Sequence, residues 1–317
     1  VSGWRPAPVT VQVPATSANL GPGFDSLGLA LGLWDEVTVQ VGTAVAGVSI
    51  EVEGEGTEVA ERGERHLIVK VLRQTLEAID GLASTRMAGQ VQGIGLRCVN
   101  RIPHSRGLGS SSAAIVAGIL AARHLHPHGH LLDDEGALRL ATAIEGHPDN
   151  VAPCLAGGLT VAWTTPGGPR LVRLESQVKQ VVAFVPDQRL ATERARGLLP
   201  ETVPHGDAAA NAGRAALLIA ALSQGLASDV LLDATEDRLH QDYRAPAMPE
   251  SAELVARLRA NGAPAVISGA GPTVLAFTTA AQVDSMGLKV GNGWHEYPLD
   301  VAPHGARIQS GDVGAAR

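Results

Sequence analysis

The segment Pro103-His104-Ser105-Arg106-Gly107-Leu108-Gly109-Ser110-Ser111-Ser112-Ala113-Ala114 leaves the chain around it few options. Gly107 and Gly109 permit a positive φ and let backbone approach a ligand closely. Three consecutive serines follow, any of which can cap a helix. From Ala113 to Leu125 the residues are apolar on nearly every face, which predicts a buried helix. A buried helix that starts at a Gly/Ser loop presents free N–H groups and its positive dipole end, a combination suited to phosphate. A capped core helix after a glycine turn would carry the same residues. No lysine follows the glycines, so this is not a Walker A loop.

The rest of the composition narrows the setting. At 317 residues there is room for one large or two ordinary domains. Hydrophobic residues make up 45% but aromatics only 3%, so the core must be built from Ala, Val, Leu and Ile. A net charge of −7 argues against nucleic acid as a partner, and any polyanion site must be local. Cys98 and Cys154 sit in apolar surroundings and read as reduced core thiols rather than a disulfide or a metal pair. No apolar run reaches membrane-spanning length and no signal peptide opens the sequence. The expectation is a soluble cytoplasmic protein with no membrane partner. The sequence begins at Val1, so an initiating methionine, with or without further residues, is expected to precede it.

Along the chain, Val9 to Val13 alternates as a strand should. It runs into Pro14 to Asp25, too polar and glycine-rich for a strand and too distinctive for a linker. Strands are expected at 36–41, 48–52, 94–99, 157–164 and 181–185, with short ones at 265–268 and 273–277. Residues 54–65 read as an exposed loop. Helices are expected at 66–79, 135–145, 208–226 and 251–261, the last capped by Ser251 and closed by Gly262. His124, His126, His128 and His130 lie among Pro and Gly and read as a solvated loop rather than a metal site. A dense polar knot runs from Glu145 to Pro153. The pattern breaks at Pro166 to Pro169, dividing the chain into 1–165 and 166–317. Strands and helices mix without a βαβα rhythm, so the fold class is α+β rather than a doubly wound parallel sheet.

One glycine loop alone decides nothing. Three stretches together, Pro14 to Asp25, Pro103 to Ala114 and Ser268 to Pro272, resemble the GHMP kinase superfamily (galactose, homoserine, mevalonate and phosphomevalonate kinases). The match spans nearly the whole chain in the family's order. Within the superfamily, Ala15 to Asp25 followed by Gly146 to Pro153 is similar to the homoserine kinase family. The resemblance implies a two-domain fold, an N-terminal α+β domain with a left-handed βαβ unit and a C-terminal ferredoxin-like α+β domain, with the active site between them. It implies an ATP- and magnesium-dependent kinase that phosphorylates the hydroxyl of L-homoserine in threonine biosynthesis. A homodimer is usual for such kinases and is expected.

Phosphoryl transfer needs cradled phosphates, a bridging magnesium ion and an acceptor hydroxyl in line. Gly107, Leu108, Gly109, Ser110, Ser111 and Ser112 supply the cradle, and Arg106 either reaches phosphate oxygens or is solvated. The resemblance makes Ser111 and Glu145 the magnesium ligands. Relatives often carry Asn before the helix that lines the adenine pocket, where this chain has His66. Homoserine offers an ammonium, a carboxylate and a hydroxyl. Asp25 is expected to take the ammonium and Asn19 the hydroxyl end. His147 and Asn150 match further substrate-side positions. Arg196 and Arg244 resemble carboxylate clamps, Thr192 orients the substrate or the attacked phosphate, and Gly269 lies on a third turn that closes the cleft. Asn19, Asn150, Glu145 and Arg196 are the expected catalytic group. No base is obvious: Asn150 cannot take a proton, and Asp149 either serves as base or holds the turn. Positioning and electrostatics can carry most of the rate. Two rivals remain, a GHMP kinase acting on another small alcohol such as mevalonate, and a non-catalytic small-molecule binding protein on the same fold. A scaffold would need an exposed apolar stripe, which the sequence lacks.

Overall fold

The computed structural model describes residues 3–5, 7–42, 46–287 and 290–309. Its elements are, in order, β1 (Val9–Ala18), β2 (Leu27–Gly42), β3 (Gly47–Gly54), α1 (Leu67–Ala83), β4 (Gly93–Asn100), α2 (Ser110–Leu125), α3 (Asp134–Glu145), α4 (Pro148–Ala156), β5 (Leu159–Thr165) and β6 (Gly168–Leu174). Then come β7 (Gln180–Pro186), α5 (Thr192–Arg196), α6 (His205–Gln224), α7 (Ser228–Ala234), α8 (Gln241–Arg244), α9 (Pro249–Ala260), β8 (Ala265–Ile267), β9 (Val274–Ala276), α10 (Ala280–Ser285), β10 (Trp294–Asp300) and β11 (Arg307–Gln309).

The first sheet has the order β11-β1-β2-β4-β3, with β5 on the other half of β2 and β6 beside β5. All its pairs are antiparallel except β3 with β4, which are joined through α1 and form the βαβ unit. The second sheet, β10-β7-β9-β8, is antiparallel throughout. Numbered from β7, its strands run 4-1-3-2 with helices after the first and third, which is the ferredoxin-like arrangement. β7 is apolar at nearly every position because both faces are covered. Val181, Ala183 and Val185 join the core built on the first sheet, while Val182 and Phe184 pack with Leu254 and Leu258 of α9 and Val283 of α10. The two lobes therefore share an apolar core.

Several expectations need correcting. β1 does not stop at Val13 but runs on to Ala18. A bulge at Pro14/Ala15 absorbs the proline, and the polar Thr16 and Ser17 find buried partners. Residues 57–65 form a 3-10 segment rather than an open loop. The break at 166–169 is the turn of the β5–β6 hairpin inside the first sheet, and the chain crosses to the second sheet only after Leu174. Ser251 does not cap α9: Met248 takes that place with Pro249 in the first turn, and the Ser251 hydroxyl donates to the carbonyl of Pro272. The histidine-rich connection is not solvated throughout. His126 is buried against Trp4, edge to face. Cys98 and Cys154 are free, buried thiols; burial pushes Cys98 up to about 12. No helix among the described residues is long and apolar enough to cross a membrane.

Helix α4 rests directly on β2. A Cβ at Gly28 would lie 2.1 Å from the Asp149 carbonyl oxygen and 2.6 Å from Cγ of Pro153. Gly28→Ala should therefore cost about 1–3 kcal/mol by overpacking, read as a lower urea midpoint with unchanged slope.

Candidate active site

The loop that opens α2 is held from both sheets. Asp35 of β2, 5% exposed, accepts from the N–H groups of Arg101 (2.6 Å) and Ile102 (2.9 Å), fixing the exit of β4. Burial pushes its carboxyl up to about 6, against the pull of those two N–H groups. The Thr16 N–H donates to the Leu108 carbonyl at 3.0 Å. Gly107 and Gly109 have φ of 77° and 71°, and Ser105 has a φ of 58°. Gly109 is the residue before the helix and supplies no side-chain cap, so the first N–H groups of α2 stay open. An open helix start behind two positive-φ glycines is the geometry that a phosphate site requires. Arg106 is not free for phosphate: its guanidinium donates to the carbonyls of Pro186 (2.8 Å), Asp187 (3.0 Å) and His104 (3.3 Å), tying the loop to the end of β7. Leu108 buries its side chain in the core.

Glu145, the last residue of α3, accepts from the hydroxyls of Ser111 (2.9 Å) and Ser112 (2.8 Å). The two residues proposed as metal ligands are thus brought together by independent elements. A carboxylate at a helix C-terminus faces an unfavourable dipole, which the hydroxyls partly offset.

On one side of this start of α2 lies a cleft of about 150 Å³, lined among others by Asn19, His147, Asn150, Thr192, Arg196, Arg244 and Gly269. On the other side is a second cavity of about 220 Å³, lined by His66, Leu67, Cys98 and Asn100. Both share Ser105, Ser110 and Ser111. His66 is buried, its Nδ1 has no hydrogen-bond partner among the described residues, and burial pushes its pKa down to about 4, so the ring is neutral at physiological pH.

Four of the expected site residues bond to partners within the protein. Asn19 spends its amide on the protein: Nδ2 donates to the Gly269 carbonyl (2.8 Å) and Oδ1 accepts from the Asp25 N–H (2.9 Å). Asp25 and Arg196, expected to take opposite ends of the substrate, face each other in a two-point pair at 2.6 and 3.2 Å. Asn150 accepts the Thr16 hydroxyl at 2.8 Å through Oδ1, which leaves its Nδ2 donor free. Two residues carry roles that the sequence did not reveal. Thr16 orients Asn150, and the Phe24 ring lies 5.3 Å from the Arg244 guanidinium and 5.7 Å from that of Arg196. In a chain so poor in aromatics, a phenylalanine inside a glycine-rich loop was the available signal.

Residues 66–158 match the GHMP kinases N terminal domain family, and residues 208–296 match the GHMP kinases C terminal family. A homoserine kinase of Streptomyces avermitilis is 55% identical over 96% of this chain and 97% of its own length. One from Clavibacter michiganensis is 48% identical over 97% and 96%. The chain belongs to the homoserine kinases of the GHMP kinase superfamily. The crystal structure of homoserine kinase from Cytophaga hutchinsonii superposes with a TM-score of 0.77 at 25% identity, covering 95% of this chain and 97% of that one. A mevalonate kinase of L. major, 15% identical with a TM-score of 0.67 over 96% and 98%, shares the fold.

In this family setting the sequence Gly146-His147-Pro148-Asp149-Asn150 acquires a definite geometry. Gly146 closes α3 with φ 95°, and His147 precedes α4 with Pro148 in its first turn. Asp149, 1% exposed, lies 2.5 Å from Nδ1 of His147. Burial works against the charged ring, but the Asp149 bond and charge outweigh it, so the His147 pKa is raised. A raised histidine binds its proton more tightly in the folded state. Its stabilisation is full below the unfolded value near 6.5 and is lost as pH rises through the folded value. Denaturation of the parent and Asp149→Asn across pH 5 to 9 should show the largest gap at the acid end, narrowing as pH rises. A gap that widens with pH would contradict this pairing.

Proposed function

We propose that this cleft transfers the terminal phosphoryl group of ATP to the side-chain hydroxyl of L-homoserine, giving O-phospho-L-homoserine. The observation that carries the reading is Arg244. Its side chain is 1% exposed, no carboxylate lies within 4 Å among the described residues, and Nε has no hydrogen-bond partner. Burial, then the neighbouring Arg196, push its pKa down to about 10, so it remains a cation. A buried, unpaired charge is costly, and a substrate carboxylate in the cleft would supply the missing partner. The Asp25–Arg196 pair complements a zwitterion: Asp25 turns to the ammonium while Arg196 joins Arg244 on the carboxylate. Mevalonate has no ammonium and would leave Asp25 with nothing to neutralise.

Ser111 and Glu145 offer a hydroxyl and a carboxylate oxygen, a hard donor set that suits a magnesium ion keeping several waters. Both would hold it, and its positive charge would offset both the helix dipole at Glu145 and the phosphates of ATP. The N–H groups of Gly109 to Ser112 hold phosphate oxygens, and the neighbouring cavity with His66 takes the base. Nδ2 of Asn150 donates to the hydroxyl or phosphate oxygen near it. No base is required. Asp149 is committed to Nδ1 of His147. The proton leaves late, to phosphate, as a loose transition state allows. Asp149→Asn should accordingly lose less than about a thousandfold in turnover, below what removal of a general base costs.

ADP release measured over a panel of acceptors tests the assignment, with homoserine preferred over mevalonate and over 3-aminopropan-1-ol, which keeps the ammonium and hydroxyl but has no carboxylate. Release with another acceptor and none with homoserine would discard the substrate. Arg244→Leu should lose about 2–5 kcal/mol of transition-state binding on homoserine, roughly thirtyfold to several thousandfold, and leave 3-aminopropan-1-ol nearly untouched. Glu145→Gln and Ser111→Ala should raise the KM for magnesium-ATP more than that for homoserine, Glu145→Gln the more severely because it removes a charge.

A further inference from the structure

His240 is fully buried, immediately before α8, and the reaction described above makes no use of it. Its Nε2 lies 2.8 Å from the Gly21 carbonyl and its Nδ1 lies 3.1 Å from Nη1 of Arg244. A carbonyl can only accept and a guanidinium can only donate. The ring is therefore neutral, protonated on Nε2, with the Nδ1 lone pair turned to Arg244. We propose that His240 is a positioning residue for the acceptor's carboxylate, fixing the Arg244 guanidinium against the first loop and thereby setting the spacing between the carboxylate and ammonium anchors. The inference rests on the carboxylate role assigned to Arg244.

Three observations support it. First, the bond to His240 and a second to the Gly269 carbonyl (3.3 Å) both use Nη1. Nε has no partner among the described residues and both bonds leave Nη2 unused, so these two nitrogens can make the two parallel bonds that grip a carboxylate. Second, the Phe24 ring stacks at 5.2 Å on His240 and at 5.3 Å under the Arg244 guanidinium, which limits rotation of both. Third, the far end of the imidazole holds Gly21, four residues before Asp25. Gly21 (φ 83°) packs so closely that a Cβ would sit 2.8 Å from the Thr235 carbonyl oxygen. Nδ2 of Asn211 also holds the Pro22 carbonyl at 2.7 Å. Asp25 and Arg244 are thus referred to one another through a single ring.

The charged groups facing the ring are Asp237 on its own turn, 3.7 Å from Nε2, Arg244, and Asp25 on the first loop, with Arg196 beyond. Asp237 is occupied by the N–H groups of Leu239, His240 and Gln241. Burial and Arg244 outweigh the carboxylates and lower the His240 pKa, which agrees with the neutral tautomer.

The test compares L-homoserine with 3-aminopropan-1-ol in the full-length enzyme. His240→Phe keeps the ring's volume and its stack on Phe24 but loses both bonds. Its KM for homoserine should rise about tenfold to a hundredfold, the range for a hydrogen bond to a charged group. Its kcat, its KM for magnesium-ATP and its efficiency on 3-aminopropan-1-ol should change less than about threefold, since none depends on that bond. His240→Asn, with Oδ1 in the place of Nδ1, should recover a good part of the homoserine KM. An unchanged homoserine KM, or equal losses on both acceptors, would overturn the proposal. If His240→Phe does not fold, His240→Gln, which keeps a donor for Gly21 and withdraws the acceptor from Arg244, should give the same split between acceptors. Arg244→Leu run beside these variants separates the two ideas. If it leaves the acceptor ratio flat, the carboxylate reading itself fails. If it shifts the ratio while His240→Phe does not, the role of His240 alone is rejected.

Discussion

Everything at this site depends on how closely the backbone at Gly107 is approached. A Cβ there would stand 2.3 Å from the Ser268 carbonyl oxygen and 3.0 Å from that of Gly271. The absence of a side chain lets the turn between β8 and β9 lie directly on the phosphate loop. The contact is then fastened by a hydroxyl chain in which Ser17 donates to Ser268 (2.8 Å) and Ser268 donates to the Gly107 carbonyl (2.6 Å), both serines fully buried. The Gly269 N–H bonds the Ala18 carbonyl, and the Thr273 N–H bonds that of Arg106. Three segments remote in sequence meet at one backbone position. The shape of the loop that opens α2 is therefore a product of the whole fold, although a local sequence spells it.

Electrostatics adds a second constraint. Arg196 has a carboxylate partner in Asp25, while Arg244 has no carboxylate partner among the described residues and bonds only to His240 and the Gly269 carbonyl. An isolated ion pair in a half-buried setting contributes modestly, so its members can exchange partners at low cost. On the proposed reading, an acceptor that carries both charges would satisfy all three groups at once, and one with a single charge would leave one of them unpaired, which gives a basis for discrimination between small alcohols.

The sequence made the site's membership legible but not its internal wiring. The open N-terminus of α2 follows from Gly109 and the serines, and α1, α3 and β7 fall close to where periodicity puts them. The cradle, Glu145, His147, Asn150 and both arginines do gather around one cleft. What periodicity could not show is which polar groups are spent on each other. Asn19 and Arg106 look free in sequence because their acceptors are backbone carbonyls at Gly269, Pro186 and Asp187, supplied by the second sheet. The extension of β1 through Pro14 was hidden for a related reason: Thr16 and Ser17 are polar, yet long-range hydrogen bonds allow them to be buried. The hairpin turn at 166–169 carries the same Pro and Gly residues as a linker, and only strand pairing tells the two apart.

Strain completes the picture of the first loop. Asn19, Leu20 and Asp25 all have positive φ, at 67°, 52° and 54°. Non-glycine residues in that region cost on the order of 1–3 kcal/mol each. Glycine at these positions would relieve the backbone but remove the side chains that hold it. Oδ1 of Asn19 caps the Asp25 N–H, the Leu20 side chain is fully buried in the core, and the Asp25 carboxylate meets Arg196. Each strained residue is thus retained by a contact made with its own side chain. A loop held in this way cannot relax without giving up core packing at Leu20 and the ion pair at Asp25 together. That coupling keeps the Asp25 carboxylate in register with Arg196 and Arg244 on the opposite lobe.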